Sequence, residues 1–145
     1  MSYARRHFVF DTSSLIGAVL QPAGRPKQAL LLAMSLGRIV ASRETVFELV
    51  EVLKREKFDP LIGKAARAAF LEAYLSSIRL VATPAAVQEC RDPGDDKFLA
   101  LAAAARAVAI VASDEDLRVL PPWRGIDVLS PTQFLETAPG RWSAH

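Results

Sequence analysis

The sequence predicts a three-layer α/β fold, with a parallel sheet of about five short strands flanked by helices. Three observations carry this. Short, almost wholly apolar runs recur along the chain, as strands covered on both faces require. Segments with helical apolar spacing or helix start and stop residues lie between them. The length of 145 residues, with 51% hydrophobic and 23% charged, suits one domain with a real core and excludes a mainly disordered chain. Residues 1–138 read as that domain and 139–145 as a weakly ordered C-terminal tail after Pro139.

The elements follow in order. His7 to Phe10 is a short buried strand ending at Asp11. A turn at Pro22 to Pro26 follows, and Pro26 opens a helix through Ala29 to Leu36, with Gly37 placed to cap it in the left-handed conformation. Ile39 to Ala41 is a second strand. Ser42 caps the next helix, with Glu44 in its first turn, and Val46, Leu49, Val50 and Leu53 form one apolar face. Pro60 and Gly63 break that pattern. Lys64 to Ser77 is a further helix that packs through Ala65, Ala69, Phe70 and Tyr74. Leu80 and Val81 make a third strand. Asp95 is a good N-cap for an alanine-rich helix from Asp96 to about Ala107, and Val108 to Ala112 is the clearest strand. Ile126 to Leu129 is the last strand, and Ser130-Pro131 caps a final helix through Phe134 and Leu135.

Cys90 is the single cysteine, so no intrachain disulfide forms, and a reducing cytoplasm suits it best. Phe8 to Leu20 is interrupted by Asp11 to Ser14 and lacks the apolar core of a signal peptide. Phe98 to Ala112 is too short and too rich in alanine for a bilayer span. The expectation is a cytoplasmic protein that makes no membrane contact. The net charge of +2 conceals a sorted distribution: residues 1–88 carry 12 basic and 7 acidic side chains, residues 89–116 carry 3 and 7.

Two strands end in acids, at Asp11 and Asp114. In open parallel sheets, ligands sit beyond the carboxyl ends of the strands where strand order reverses. With those strands adjacent, Asp11 and Asp114 face each other across one crevice. Asp96 opens the helix leading into the fourth strand, and the loop carrying Asp92 and Asp95 can hang over the same edge. Converging carboxylates need a counter-charge, and a hard divalent cation with oxygen ligands provides it. His7 and His145, near opposite ends, make no zinc set, so Mg²⁺ or Mn²⁺, one or two ions, is the better fit and suits phosphodiester hydrolysis. Against this, Asp95, Asp96 and Asp114 can each be a plain helix N-cap. Asp11 is the strongest single case, since packing explains it poorly. Glu48 points away from the apolar face of its helix, so a solvated position is its default.

Four blocks in order resemble the PIN-domain family, and within it the VapC-like toxins of toxin–antitoxin systems. They are Phe10-Asp-Thr-Ser-Ser-Leu15, Ser42 to Leu53 with Glu48, Cys90-Arg-Asp-Pro-Gly-Asp-Asp-Lys-Phe-Leu-Ala-Leu-Ala102, and Ala112-Ser-Asp-Glu-Asp-Leu117. The resemblance runs from about Phe8 to Leu135. It implies a Mg²⁺- or Mn²⁺-dependent ribonuclease with a parallel sheet and an acidic pocket. Asp11, Glu48, Asp96 and Asp114 match the family's metal-binding and catalytic acids, which overturns the solvated default for Glu48. Asp92 and Asp116 match accessory acids. The family often has Asn where this chain has Ser13; Thr12 and Ser13 are therefore candidates for orienting Asp11.

Substrate phosphates need positive charge beside such a pocket. Candidates are Lys97, Arg5, Arg6, Arg25, Lys27 and Arg118, with Lys97 the most pointed because it adjoins Asp96. The resemblance also implies an RNA substrate, a cognate antitoxin and a homodimer, with Val46, Phe47, Val50, Tyr74 and Trp123 as apolar candidates for an interface. Two alternatives stand. One is a Mg²⁺-dependent phosphohydrolase with Asp11 as nucleophile, which Ser13 disfavours, since such enzymes usually place a second Asp there. The other is a degenerate PIN fold that binds RNA or protein without cutting, which the cost of buried carboxylates without a metal disfavours.

Overall fold

The computed structural model describes residues 6–83, 96–113 and 123–142. Five strands form one parallel sheet: β1 (His7–Phe10), β2 (Arg38–Ala41), β3 (Arg79–Leu80), β4 (Ala109–Val111) and β5 (Asp127–Leu129). The order across the sheet is β3-β2-β1-β4-β5. Six helices accompany it among the described residues: α1 (Thr12–Leu20), α2 (Arg25–Leu36), α3 (Arg43–Leu53), α4 (Lys64–Ser77), α5 (Asp96–Ala105) and α6 (Pro131–Arg141). The chain builds outward from β1 to β3, then returns to lay β4 on the other side of β1. The strand order therefore reverses between β1 and β4, and that seam is the natural ligand position of an open parallel sheet.

Alternation along the strands divides the core in two. Phe8, Phe10, Ile39, Ala109 and Val111 face the larger cluster, with α1, α2, α3 and α6. Val9, Val40, Ile110 and Ala112 face the other, with Phe98, Leu99, Leu101 and Ala102 of α5. This is the three-layer arrangement the apolar runs predict: every central strand residue has a covered face. Phe8 meets Phe134 and Trp142 edge-on, with ring centroids 5.5 and 5.6 Å apart.

Several local expectations change. The helix α1 was not read from the sequence, because its apolar residues are not confined to one stripe and periodicity is silent there. Gly37 is not left-handed; its φ is −178°. It is needed because the Arg6 carbonyl, which accepts from the Arg38 N–H at 2.8 Å, occupies the space a Cβ would fill. In α4, Ala65 and Ala69 are exposed, and the buried residues are Tyr74 and Arg67. Arg67 donates to the Leu53 carbonyl at 2.8 Å and the Arg55 carbonyl at 3.3 Å, and it pairs with Asp59. It thus satisfies the Leu53 carbonyl, which the end of α3 leaves without a helical partner, and adds a second bond to the Arg55 carbonyl, which also accepts from the Phe58 N–H. Burial pushes the Tyr74 phenol well above its ordinary pKa.

The weak order expected from Pro139 is corrected over residues 139–142; residues 143–145 lie outside the described residues. Helix α6 runs to Arg141, and Trp142 is buried. Packing outweighs the missing proline N–H: Trp142 stacks on Phe134, Arg6 donates to the Trp142 carbonyl at 3.2 Å, and Arg141 pairs with Asp127.

At the end of α5, the Arg106 N–H reaches Ala103 O and the Ala107 N–H reaches Ala102 O, a Schellman closure. Arg106 there has φ 53°, where glycine is preferred. Arg106→Gly is expected to stabilise the fold by up to about 1 kcal/mol, and Gly37→Ala to destabilise it by about 1–3 kcal/mol. Urea unfolding midpoints of the two variants check both signs.

Candidate active site

Asp11 ends β1 and begins α1. Its backbone N–H continues the ladder to the Val111 carbonyl at 3.0 Å. Its Oδ1 accepts from the Ser14 N–H at 2.8 Å, so Asp11 is the N-cap of α1, and the local explanation reserved for the other acids holds for it too. A cap alone does not account for the second oxygen. Oδ2 accepts from the Ser113 N–H, just past β4, at 3.1 Å. The Ser14 and Ser113 hydroxyls also meet at 2.8 Å. The carboxylate is 2% exposed and spans the β1/β4 seam, with two backbone N–H groups and the positive end of α1 facing its charge.

Glu48 belongs to this edge and not to a solvated face. Its Oε2 accepts from the Thr12 hydroxyl, and its Oε1 pairs with Lys97 Nζ at 2.7 Å. Thr12 therefore orients Glu48, not Asp11 as expected. Ser13 is exposed and hydrogen-bonds neither acid. Ser14 and Ser113, which the sequence reading did not single out, hold Asp11 in their place. The capping box at Ser42 and Thr45 fixes the start of α3, from which Glu48 projects one turn on.

Asp96 is the first residue of α5 and is half-buried. The direction of α5 brings it to the same edge: the far end of the helix, at the Ala105 carbonyl, meets His7 Nδ1 at the start of β1 (2.8 Å), while Lys97 reaches Glu48. Asp92, Asp114 and Asp116 lie outside the described residues, as do Arg5 and Arg118.

The basic candidates separate. Lys97 is in the site. Arg6 is at the opposite edge of the sheet, on the Trp142 carbonyl. Lys27 stands over the Phe70 ring of α4 at 5.6 Å, and Arg25 is exposed at the start of α2. Two cations not singled out in the sequence, Arg43 and Arg55, share with Glu48 and Lys97 a cleft of about 590 Å³ along α3. Helical spacing finds Arg55, seven residues on from Glu48, but not Arg43, which is five residues before it and out of phase. Glu44, exposed on the same helix, has its carboxyl held below the ordinary range, chiefly by a backbone N–H hydrogen bond, with Thr83 and Ser42 adding to it. Of the apolar interface candidates, Tyr74 and Trp123 are core, Val46 and Val50 are half-buried, and Phe47 is 68% exposed.

The donor set at this edge is all oxygen, which suits a hard divalent cation. Among the described residues, no three His, Cys, Asp or Glu side chains converge closely enough to hold one. No described helix is long and apolar enough to cross a membrane.

A parallel sheet with strand order 3-2-1-4-5 and buried acid at its β1/β4 seam defines an α/β protein with an acidic site at the carboxyl edge. A PIN-domain family model matches residues 7–116. The chain belongs to the PIN-domain family. Among solved structures, it is similar to a chain in the crystal structure of VapBC2 from Rickettsia felis bound to a promoter DNA fragment. That likeness has a TM-score of 0.61 and 14% identity, over 86% of this chain and 98% of the other. It is likewise similar to PAE2754 from Pyrobaculum aerophilum, with a TM-score of 0.61 and 18% identity, over 92% of this chain and 90% of the other. A search of curated proteins finds no significant match.

The hydrogen bonds that Asp11 accepts from the Ser14 and Ser113 N–H groups give different costs for two substitutions. Asp11→Asn retains a capping oxygen but turns a donor toward one N–H, and should cost about 1 kcal/mol. Asp11→Ala loses the cap and the tie to Ser113 together, and should cost about 2–3 kcal/mol. Chemical denaturation of both variants measures the difference.

Proposed function

We propose that this protein is a Mg²⁺- or Mn²⁺-dependent endoribonuclease that acts as the toxin of a toxin–antitoxin pair in the cytoplasm. The observation that carries the reading is the joining of Asp11, Glu48 and the start of α5 at one edge of the sheet, by side chains of α1, α3 and α5 and a backbone N–H from just past β4. Membership of the PIN-domain family supports the nuclease class, and the likeness to the Rickettsia felis VapBC2 chain supports the toxin role.

Asp11, Glu48, Asp96 and Asp114 would hold the cation, with Asp92 and Asp116 as accessory acids. The ion, when bound, lowers the pKa of a water and so supplies the hydroxide that attacks the phosphodiester. The residues of this chain do the rest. Ser14 and Ser113 hold Asp11 from two directions, and Thr12 holds Glu48. A carboxylate at this edge takes the proton from the attacking water. Lys97, Arg43 and Arg55 offset the repulsion between the acids and an incoming phosphate. Phe47, left exposed on α3, is the apolar residue best placed for a homodimer or antitoxin contact.

One structural observation favours the non-catalytic reading. Asp11 and Glu48 are compensated without a metal, because Asp11 receives two N–H groups and Glu48 an ammonium and a hydroxyl. Binding and activity separate the two readings. Single-stranded RNA should be cleaved with Mn²⁺ present and not with chelator. Asp11→Asn, Asp96→Asn and Asp114→Asn should each lose about 100-fold or more in cleavage while melting as folded proteins, since removing even a group that only supports a metal ligand costs about 10–100-fold. Cleavage that persists in chelator, or in all three variants, would falsify the metal mechanism. Thr12→Val should lose about 10–100-fold with the fold intact, through Glu48. Millimolar Mn²⁺ should also raise the melting temperature, since a ligand of the folded state alone stabilises it. No rise, with no cleavage, would leave the binding module.

A further inference from the structure

The pairing of Lys97 with Glu48 leads beyond the proposed chemistry, though it rests on that reading of the site. Both oxygens of Glu48 are engaged: Oε2 by the Thr12 hydroxyl, Oε1 by Lys97 Nζ at 2.7 Å. The two side chains are about equally and only partly exposed, at 26% for Lys97 and 32% for Glu48, so the pair is not a freely solvated surface contact. Lys97 is anchored twice over. It is the second residue of α5, and its ammonium stands 5.7 Å from the Phe98 ring centroid. A flexible lysine elsewhere on the surface would sample many positions; this one is delivered by the helix that begins with Asp96. A carboxylate that binds a divalent cation through an oxygen cannot keep an ammonium on that same oxygen at hydrogen-bond distance without the two cations repelling.

We infer that Lys97 is the resident counter-ion of Glu48 and competes with the divalent cation for it. In the cation-free protein, Lys97 neutralises Glu48 and keeps the acidic edge from repelling itself. Recruiting Glu48 to the cation requires the ammonium to leave, and that exchange weakens cation binding. Thr12 is not part of the competition. It is neutral and holds the other oxygen, so Glu48 keeps its orientation when Lys97 departs. Lys97 is therefore a positioning residue that sets the cation concentration at which the site fills.

The test is calorimetric titration of the full chain with Mn²⁺, alongside thermal melting with and without the ion. Lys97→Met should bind Mn²⁺ about two- to fivefold more tightly than the unaltered protein, the change expected when a partly exposed ion pair no longer opposes binding. Its melting temperature should fall without Mn²⁺ and rise more steeply with it. Lys97→Arg keeps the charge and should bind as the unaltered protein does. Adding Lys97→Met to Glu48→Gln should bring no further tightening, because the pair is already gone. Arg43→Met removes a nearby positive charge that has no bond to Glu48, and should tighten Mn²⁺ binding less than Lys97→Met does.

Three results overturn the inference while leaving the metal reading intact, since the unaltered protein still binds Mn²⁺ in each. They are no tightening in Lys97→Met, equal tightening in Arg43→Met, or the same tightening in the Glu48→Gln background. Failure of the unaltered protein and every variant to bind Mn²⁺ overturns both. Binding by Lys97→Met alone supports the inference in its strongest form.

Discussion

The carboxylate of Asp11 joins two strand ends that the chain separates by 102 residues. Its two oxygens take backbone N–H groups from the first turn of α1 and from just past β4. The candidate site depends on this. With Asp11 fixed, Thr12 is the next residue in the helix, and its hydroxyl meets Glu48 of α3. Glu48 in turn meets Lys97 of α5. A single chain of polar contacts thus runs from β4 through α1 and α3 to α5, across the edge where the strand order reverses. Because backbone amides hold its first member, that chain starts from a group with little freedom to relax. Buried polar groups of this kind are stable only when their partners are all supplied.

The same arrangement shows how one structure meets two opposed electrostatic needs. Acids must gather to bind a divalent cation, yet they repel each other while none is bound. Dipoles and amides meet the charge of Asp11, and Lys97 meets that of Glu48. The first solution is permanent, since the N–H groups belong to the fold. The second is exchangeable, since an ammonium on four methylenes can leave. The two acids are thus held in different ways, Asp11 by the fold itself and Glu48 by the side chains of Thr12 and Lys97.

Much of this was legible in the sequence, and for reasons that differ by element. The central strands β1, β2 and β4 were readable because both faces of the sheet are covered there, which leaves nearly unbroken apolar runs; β3, at the sheet edge, is exposed and is only Arg79–Leu80. Helix α4 was bounded correctly, from Lys64 to Ser77, by Gly63 and the approach to β3. Which of its residues it buries was not, because Arg67 answers a need of α3 that lies outside its own segment. Helix α1 was missed because its apolar residues form no stripe. Gly37 was recognised as necessary, but for a conformation it does not adopt; the Arg6 carbonyl that excludes a side chain there is distant in sequence. Asp11 stands out in the sequence because packing explains it poorly, and it proves to have a local role as the N-cap of α1. What singles it out is its second oxygen, which depends on tertiary structure.

Glu48 shows where local reasoning ends. On its helix it lies away from the apolar face, and solvation is the sound inference from that alone. Resemblance placed it with the other acids, and the structure gives the physical reason: α3 lies between two helices, so being off the core does not mean facing water. One flank of α3 meets Thr12 of α1 and Lys97 of α5. Side chains there are polar and partnered, Thr12 buried and Glu48 and Lys97 half-buried. The opening contrast of a near-neutral total with sorted charge follows from the same geometry. Acids and bases far apart in the chain converge at one edge, where each sign makes the other tolerable. Net charge is silent about such a site because carboxylates and cations meet there in comparable numbers.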